Sequence, residues 1–126
     1  MHRIGKAFRF EAAHHLPSLP AAHKCSRPHG HSYAVEVIVA AEELTGPGFV
    51  ADFASLAPLA GYLSGKLDHQ DLNEVLDFEP TSENLARHLY GWCQAGVPLP
   101  PAARVEAVRV SETASAWAEY RPGAQP

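Results

Sequence analysis

Three histidines stand where a bound metal ion would need them. His29 and His31 are two residues apart, so an extended backbone turns both imidazoles to one side. Gly30 between them is read as permitting close backbone approach. His14 ends an alternating segment that precedes the pair. If the two segments pair antiparallel, the end of the first lies beside the start of the second and the three rings converge on one ion. Three histidines with an open position describe a catalytic zinc, whereas a structural zinc would be closed by a fourth protein ligand. An open site can polarise substrate oxygens. Against this, His-Gly-His alone can be a turn with exposed imidazoles, and a lone histidine on an apolar face is more often a satisfied core residue.

Other reactive groups lie close by in sequence. Cys25 precedes His29 by four residues, with Lys24 and Arg27 within two positions of it; positive charge and a metal favour a thiolate, which can serve as base or nucleophile. Its competing readings are a fourth zinc ligand or a small buried hydrophobe. Asp68 directly precedes His69, and a carboxylate can fix the tautomer of an adjacent imidazole and raise its basicity. A solvated helix C-terminus is the plainer reading of that pair. Glu112 follows Val108 and Val110 at even spacing, and a carboxylate on an apolar face needs a partner such as guanidine-like N–H groups. Fraying past the strand end would remove that need. Cys93, beside Trp92, is assigned to packing.

The elements that must position these groups follow from periodicity. Residues 3–13 alternate, with Ile4, Phe8, Phe10 and Ala12 on one face, which predicts a strand whose apolar face His14 continues. A proline-bearing loop over 16–28 leads to a second strand over 31–41. Leu56, Leu59, Ala60, Leu63 and Leu67 have helical spacing, with Ser55 as N-cap, Pro58 in the first turn and an end before Asp68. A loop then runs to Pro80. Thr81 caps a second helix with Glu83 near its N-terminal dipole and Leu85, Leu89 and Trp92 as its buried stripe. Strands over 104–111 and 116–121 complete the order ββααββ. The fold class is α+β, an antiparallel four-stranded sheet with two helices on one face. Its open edges call for cover, which oligomerisation would provide.

Composition bounds the function. The 126 residues carry 10 basic and 14 acidic side chains, a formal charge of −4, with no dense basic run, which argues against nucleic-acid and anionic-membrane partners. No signal-like apolar run or 18-residue apolar stretch occurs, so the expected compartment is the cytoplasm. The length fits one domain, residues 1–126, that buries about two-thirds of its unfolded surface, too little for a large private cavity. Histidine is over-represented, at 8 residues.

Several motifs, in order and across nearly the whole chain, resemble the 6-pyruvoyltetrahydropterin synthase family. They are Phe10-Glu11-Ala12-Ala13-His14, Cys25-x-x-x-His29-Gly30-His31, Asp52-Phe53, Leu67-Asp68-His69 with Leu72-Asn73, Pro80-Thr81-Ser82-Glu83-Asn84-Leu85, and Ser111-Glu112-Thr113. The Cys-x-x-x-His-Gly-His form and the compact length are similar to the bacterial, 6-carboxytetrahydropterin-forming branch, which acts in queuosine precursor synthesis. The biopterin-forming branch has an Asn-Gly-His-Gly-His segment, where this chain has Arg27-Pro28 before His29. The resemblance implies the tunnelling fold, with trimers forming barrels and two trimers stacking into a homohexamer with active sites between subunits. It implies Zn2+ on His14, His29 and His31, Cys25 as thiolate base, Asp68 and His69 as a second acid/base pair, and Glu112 as anchor of the pterin. Thr81 and Glu83 match a segment near the pterin. Lys24 and Arg27 are candidates for a substrate triphosphate by charge and proximity. The implied reaction turns 7,8-dihydroneopterin triphosphate and water into 6-carboxytetrahydropterin, acetaldehyde and triphosphate. Competing readings are another pterin lyase of the family, a non-catalytic zinc- or pterin-binding module, which would show no turnover, and a closed structural zinc site using Cys25.

Overall fold

Apolar–polar alternation through Ala12 produces the first strand, β1 (His2–His14), which buries Phe10, Ala12 and His14 on one face. The computed structural model describes residues 1–123. The other strands are β2 (His29–Ala41), β3 (Gln70–Asp71), β4 (Ala103–Thr113) and β5 (Ala116–Tyr120), in the sheet order β3-β1-β2-β4-β5. The four long strands pair antiparallel as expected. The sheet nonetheless has five strands rather than four and is mixed, because β3 runs parallel to β1 at Ala12 and Ala13. Two residues are too few to show a strand period, so β3 left no pattern to read.

The helices cover one face. Asp52, not Ser55, caps the start, accepting from the Ala54 N–H at 2.9 Å, and opens a 3₁₀ turn over Phe53–Leu56. Helix α1 (Ala57–Tyr62) follows, with Pro58 in its first turn, where no backbone hydrogen bond is lost. The chain then widens into a π turn over Leu63–Leu67, closed by the Asp68 N–H on the Leu63 carbonyl at 2.8 Å. Leu56, Leu59, Leu63 and Leu67 all reach the core, while Ala60 stays exposed. The segment expected as loop up to Pro80 also contains a single helical turn, α2 (Leu72–Val75), capped by Asp71. Helix α3 (Ser82–Gly96) begins at Thr81, whose Oγ1 accepts from the Asn84 N–H at 3.0 Å. Leu85 and Leu89 are buried as expected, but Trp92 is half-buried against Tyr62, and Ala86, Tyr90 and Cys93 complete the stripe. Burial pushes the Cys93 thiol up to about 12, consistent with packing.

Two irregularities in β4 aim its side chains. Pairing with β2 slips between Ile38 and Val39, so that Glu106 is an extra residue between Val105 and Ala107. The slip reverses the alternation. Val105, Val108 and Val110 therefore all face the core, and Glu112 continues the same face. Pairing with β5 slips again between Ser111 and Thr113, leaving Glu112 itself outside the ladder. Glu112 thus lies within the strand rather than beyond a frayed end.

Candidate metal centre

His14 stands directly opposite His29 in the β1–β2 register, and His31 is opposite Ala12. One ligand atom from each of the three imidazoles lies within 4.8 Å of the others, and the rings meet edge to face with centroids 4.5–5.0 Å apart. Two rings are fixed by backbone carbonyls: His14 Nδ1 donates to the Pro80 carbonyl at 2.7 Å and His29 Nδ1 to the Arg27 carbonyl at 2.8 Å. A carbonyl only accepts, so these nitrogens carry the protons and both Nε2 atoms present lone pairs. Such outer contacts set tautomer and orientation in histidine metal sites. His14 is buried, and the Nε2 atoms of His14 and His31 are buried with no partner in the protein. Two buried, unpartnered nitrogens beside the Nε2 lone pair of His29 fit a cation, and three imidazoles suit a divalent transition metal. Desolvation holds His14 and His31 below the usual histidine range, opposed by the Pro80 carbonyl at His14 and by Glu112 at both. Desolvation is the larger effect at both rings and favours the neutral imidazole that a metal ligand must be.

Gly30 contributes less than its place suggests. A Cβ there would sit 3.7 Å from the Ala12 carbonyl, an ordinary contact, so close approach does not require glycine. Tyr33 is the residue that sequence reasoning missed. It lies two residues past His31 on the same face, stacked on Phe10 at 4.8 Å and edge-on to His14 and His31. It is fully buried with no partner for its hydroxyl, and burial with the nearby Glu112 charge pushes its ionisation up. Its tyrosine identity in a strand of valines was the available signal. The Pro80 and Arg27 carbonyls were also missed, since backbone acceptors leave no trace in side-chain identity.

Cys25 is half-buried and free, on a 3₁₀ turn over Lys24–Ser26. Its N–H donates to His23 Nδ1 at 3.0 Å, and its carbonyl accepts from the Leu16 N–H at 2.8 Å, pinching the loop shut between the strands that carry His14 and His29. Its sulfur is not among the ligand atoms gathered by the three histidines. Lys24 and Arg27 are exposed on the same loop.

Asp68 and His69 occupy a separate place. Asp68 Oδ1 accepts from the Glu11 N–H at 2.8 Å, and its Oδ2 lies 2.9 Å from His69 Nδ1. The Glu11 N–H, then His69, hold the Asp68 carboxyl below its ordinary range. His69 has φ 60°, the sole non-glycine residue with positive φ among the described residues, and its N–H donates to the Glu11 carbonyl. Strained backbone of this kind clusters at functional sites. His69 lines an open groove of about 560 Å³ whose walls include Glu11, His31, Ser32, Gln70 and Asp71. Its anchor at Glu11 is three residues before His14, about 10 Å along a strand. One chain brings the three histidines and Glu112 together, whereas the Asp68–His69 pair is anchored on the edge of β1 away from β2, with His31 bordering its groove. Thr81 serves as the α3 cap, and Glu83 is exposed in the first turn; their segment touches the site through the Pro80 carbonyl. Asn73 pins the end of β1 by donating to the His15 carbonyl and accepting from its N–H, each at 2.9 Å.

Residues 3–123 match the profile of the family described as 6-pyruvoyl tetrahydropterin synthase. The chain is 42% identical over 124 residues to a 6-carboxy-5,6,7,8-tetrahydropterin synthase of Synechocystis sp., covering 93% of this chain and 91% of that protein. It is 35% identical over 127 residues to the enzyme of the same name from Bacillus subtilis, covering 94% and 84%. Among solved structures, the 6-pyruvoyl tetrahydropterin synthase of Caenorhabditis elegans superposes with a TM-score of 0.82 at 25% identity, covering 97% of this chain and 96% of that one. With this sheet, this histidine cluster and a family match over residues 3–123, the chain belongs to the 6-pyruvoyl tetrahydropterin synthase family.

Proposed function

We propose that this protein is a zinc-dependent lyase converting 7,8-dihydroneopterin triphosphate and water to 6-carboxy-5,6,7,8-tetrahydropterin, acetaldehyde and triphosphate in queuosine precursor synthesis. The observation that carries the reading is the convergence of three imidazoles, two with their Nδ1 tied to carbonyls, in a chain aligned over nearly its full length with enzymes of that name. Zinc on His14, His29 and His31 supplies Lewis acidity toward the oxygens of the substrate side chain.

The chain's own residues take the remaining roles. Cys25, on the rim of the loop that joins the two histidine-bearing strands, is the base on one face of the substrate. Asp68 accepts from His69 Nδ1–H, leaving Nε2 free to exchange a proton on the other face. Glu112 accepts from the 2-amino and N3 groups of the pterin, with Thr81 and Glu83 beside it. The Thr81 oxygen already accepts from the Asn84 N–H, so its hydroxyl acts there as a donor. Lys24 and Arg27 meet the triphosphate, so neutralising both raises KM. An unchanged KM refutes that assignment.

The anchoring of the Asp68–His69 pair on the edge of β1 away from β2 supports a site completed by a neighbouring subunit. The outer edge of β1 is covered only near its C-terminal end and that of β5 is bare among the described residues, which supports assembly through strand edges, as two trimers in a hexamer. Two free cysteines fit a cytoplasmic enzyme. No helix among the described residues is long and apolar enough to cross a membrane.

Complementation tests the reading. Cys25→Ala and His69→Ala are each inactive as pure oligomers, and mixing the two after dissociation and reassembly restores part of the turnover, because some interfaces receive both intact groups. If mixing restores nothing while the mixed oligomers form, the shared site is wrong. Triphosphate release without acetaldehyde favours the 6-pyruvoyltetrahydropterin reaction instead.

A further inference from the structure

Glu112 lies beside the unpartnered nitrogens of the histidine cluster. Its Oε2 is 3.6 Å from His31 Nε2 and its Oε1 is 3.9 Å from His14 Nε2. Neither contact is a hydrogen bond, and both nitrogens are buried without a partner. The Pro80 carbonyl fixes the His14 proton on Nδ1, so the carboxylate oxygen approaches a lone pair. Two acceptors facing each other at this range repel unless a cation lies between them or beside them. The strand is built to hold the carboxylate here. The slip at Glu106 sets the facing of the residues after it, and the slip between Ser111 and Thr113 frees Glu112 from the ladder and lets its side chain lean toward the imidazoles.

We infer that Glu112 is also an arm of the metal centre: in the enzyme without substrate, its carboxylate faces the cation held by His14, His29 and His31 and strengthens its binding. The inference rests on the three-histidine metal reading and adds a role to the residue assigned to the pterin. The carboxylate supplies the single negative charge that three neutral imidazoles lack, and it is half-buried, where that charge is screened less than at the surface.

The test is zinc affinity measured by competition with a chromogenic chelator, on the purified oligomer with no pterin present. Glu112→Gln keeps the shape and removes the charge, and is expected to weaken zinc binding 10–100-fold, the usual size for groups supporting a metal ligand. The metal-free variant is expected to melt no lower than metal-free wild type, because a carboxamide N–H can donate to the histidine lone pair that the carboxylate opposes. Glu112→Asp, a shorter acid, serves should the first variant fail to fold, and is expected to weaken zinc binding by a smaller factor. Zinc affinity equal to wild type in a folded Glu112 variant overturns the inference while leaving the metal site intact. Absence of zinc binding by wild type overturns the metal reading and this inference with it.

Discussion

In the proposed metal centre His14 and His29 share one ion yet occupy different positions in the fold, so their removal should separate metal binding from stability. His14→Ala removes a ring that is 1% exposed and leaves the buried Pro80 carbonyl, its partner at 2.7 Å, without a donor. An unsatisfied buried acceptor costs about 1–3 kcal/mol, and an imidazole-sized void beside Tyr33 adds about 1–2 kcal/mol. The unpartnered His14 Nε2 disappears as well, which returns part of this, so the net loss is about 2–4 kcal/mol. For a domain of this length about 4 °C of Tm accompanies each kcal/mol, giving a fall of roughly 8–16 °C. His29→Ala removes a half-buried ring whose partner is the carbonyl of an exposed residue, which water can satisfy, so its loss is under about 1 kcal/mol. Both variants should lose tight zinc binding equally. The assay is calorimetric melting of chelator-treated wild type and both variants, with zinc content measured on untreated samples. Equal Tm values for the two metal-free variants, or wild-type zinc content in either, would refute the reasoning.

Other outcomes follow from single contacts. Asn73→Ala should lower stability by about 1–3 kcal/mol in denaturant titration, because it frees both backbone groups of His15 at the end of β1; an unchanged midpoint contradicts the pinning. Thr81→Ala should cost about 1 kcal/mol as a lost helix cap, with Thr81→Ser recovering most of it. Metal-free protein should lose stability as pH falls below 6.5, the ordinary histidine value. Desolvation depresses the folded pKa values of His14 and His31, so the unfolded chain binds more protons in that window and stability is fully present above it. A flat melting profile between pH 7.5 and 5.5 contradicts this.

Much of the site was legible because strand geometry links spacing to facing. His14, His29 and His31 needed only an antiparallel pairing to converge, and the register supplied it. Thr81 as a cap and the end of the first helix before Asp68 were readable from local chemistry. The short strand β3 and the turn α2 were not, since elements of two and four residues show no period. Nor was the start at Asp52, because two capping residues compete within four positions and only the tertiary path selects between them. The two slips in β4 carry no composition signal, yet they decide where Glu112 points. Tyr33 has nothing in its sequence position to mark it; its unpartnered buried hydroxyl and its contacts with His14 and His31 do.

The most direct test is to give zinc-loaded oligomer 7,8-dihydroneopterin triphosphate and identify every product. The account expects acetaldehyde, triphosphate and 6-carboxy-5,6,7,8-tetrahydropterin in equal amounts, with all three lost on chelation and restored by zinc. No turnover by the zinc-loaded oligomer, or triphosphate formed without acetaldehyde, would contradict it.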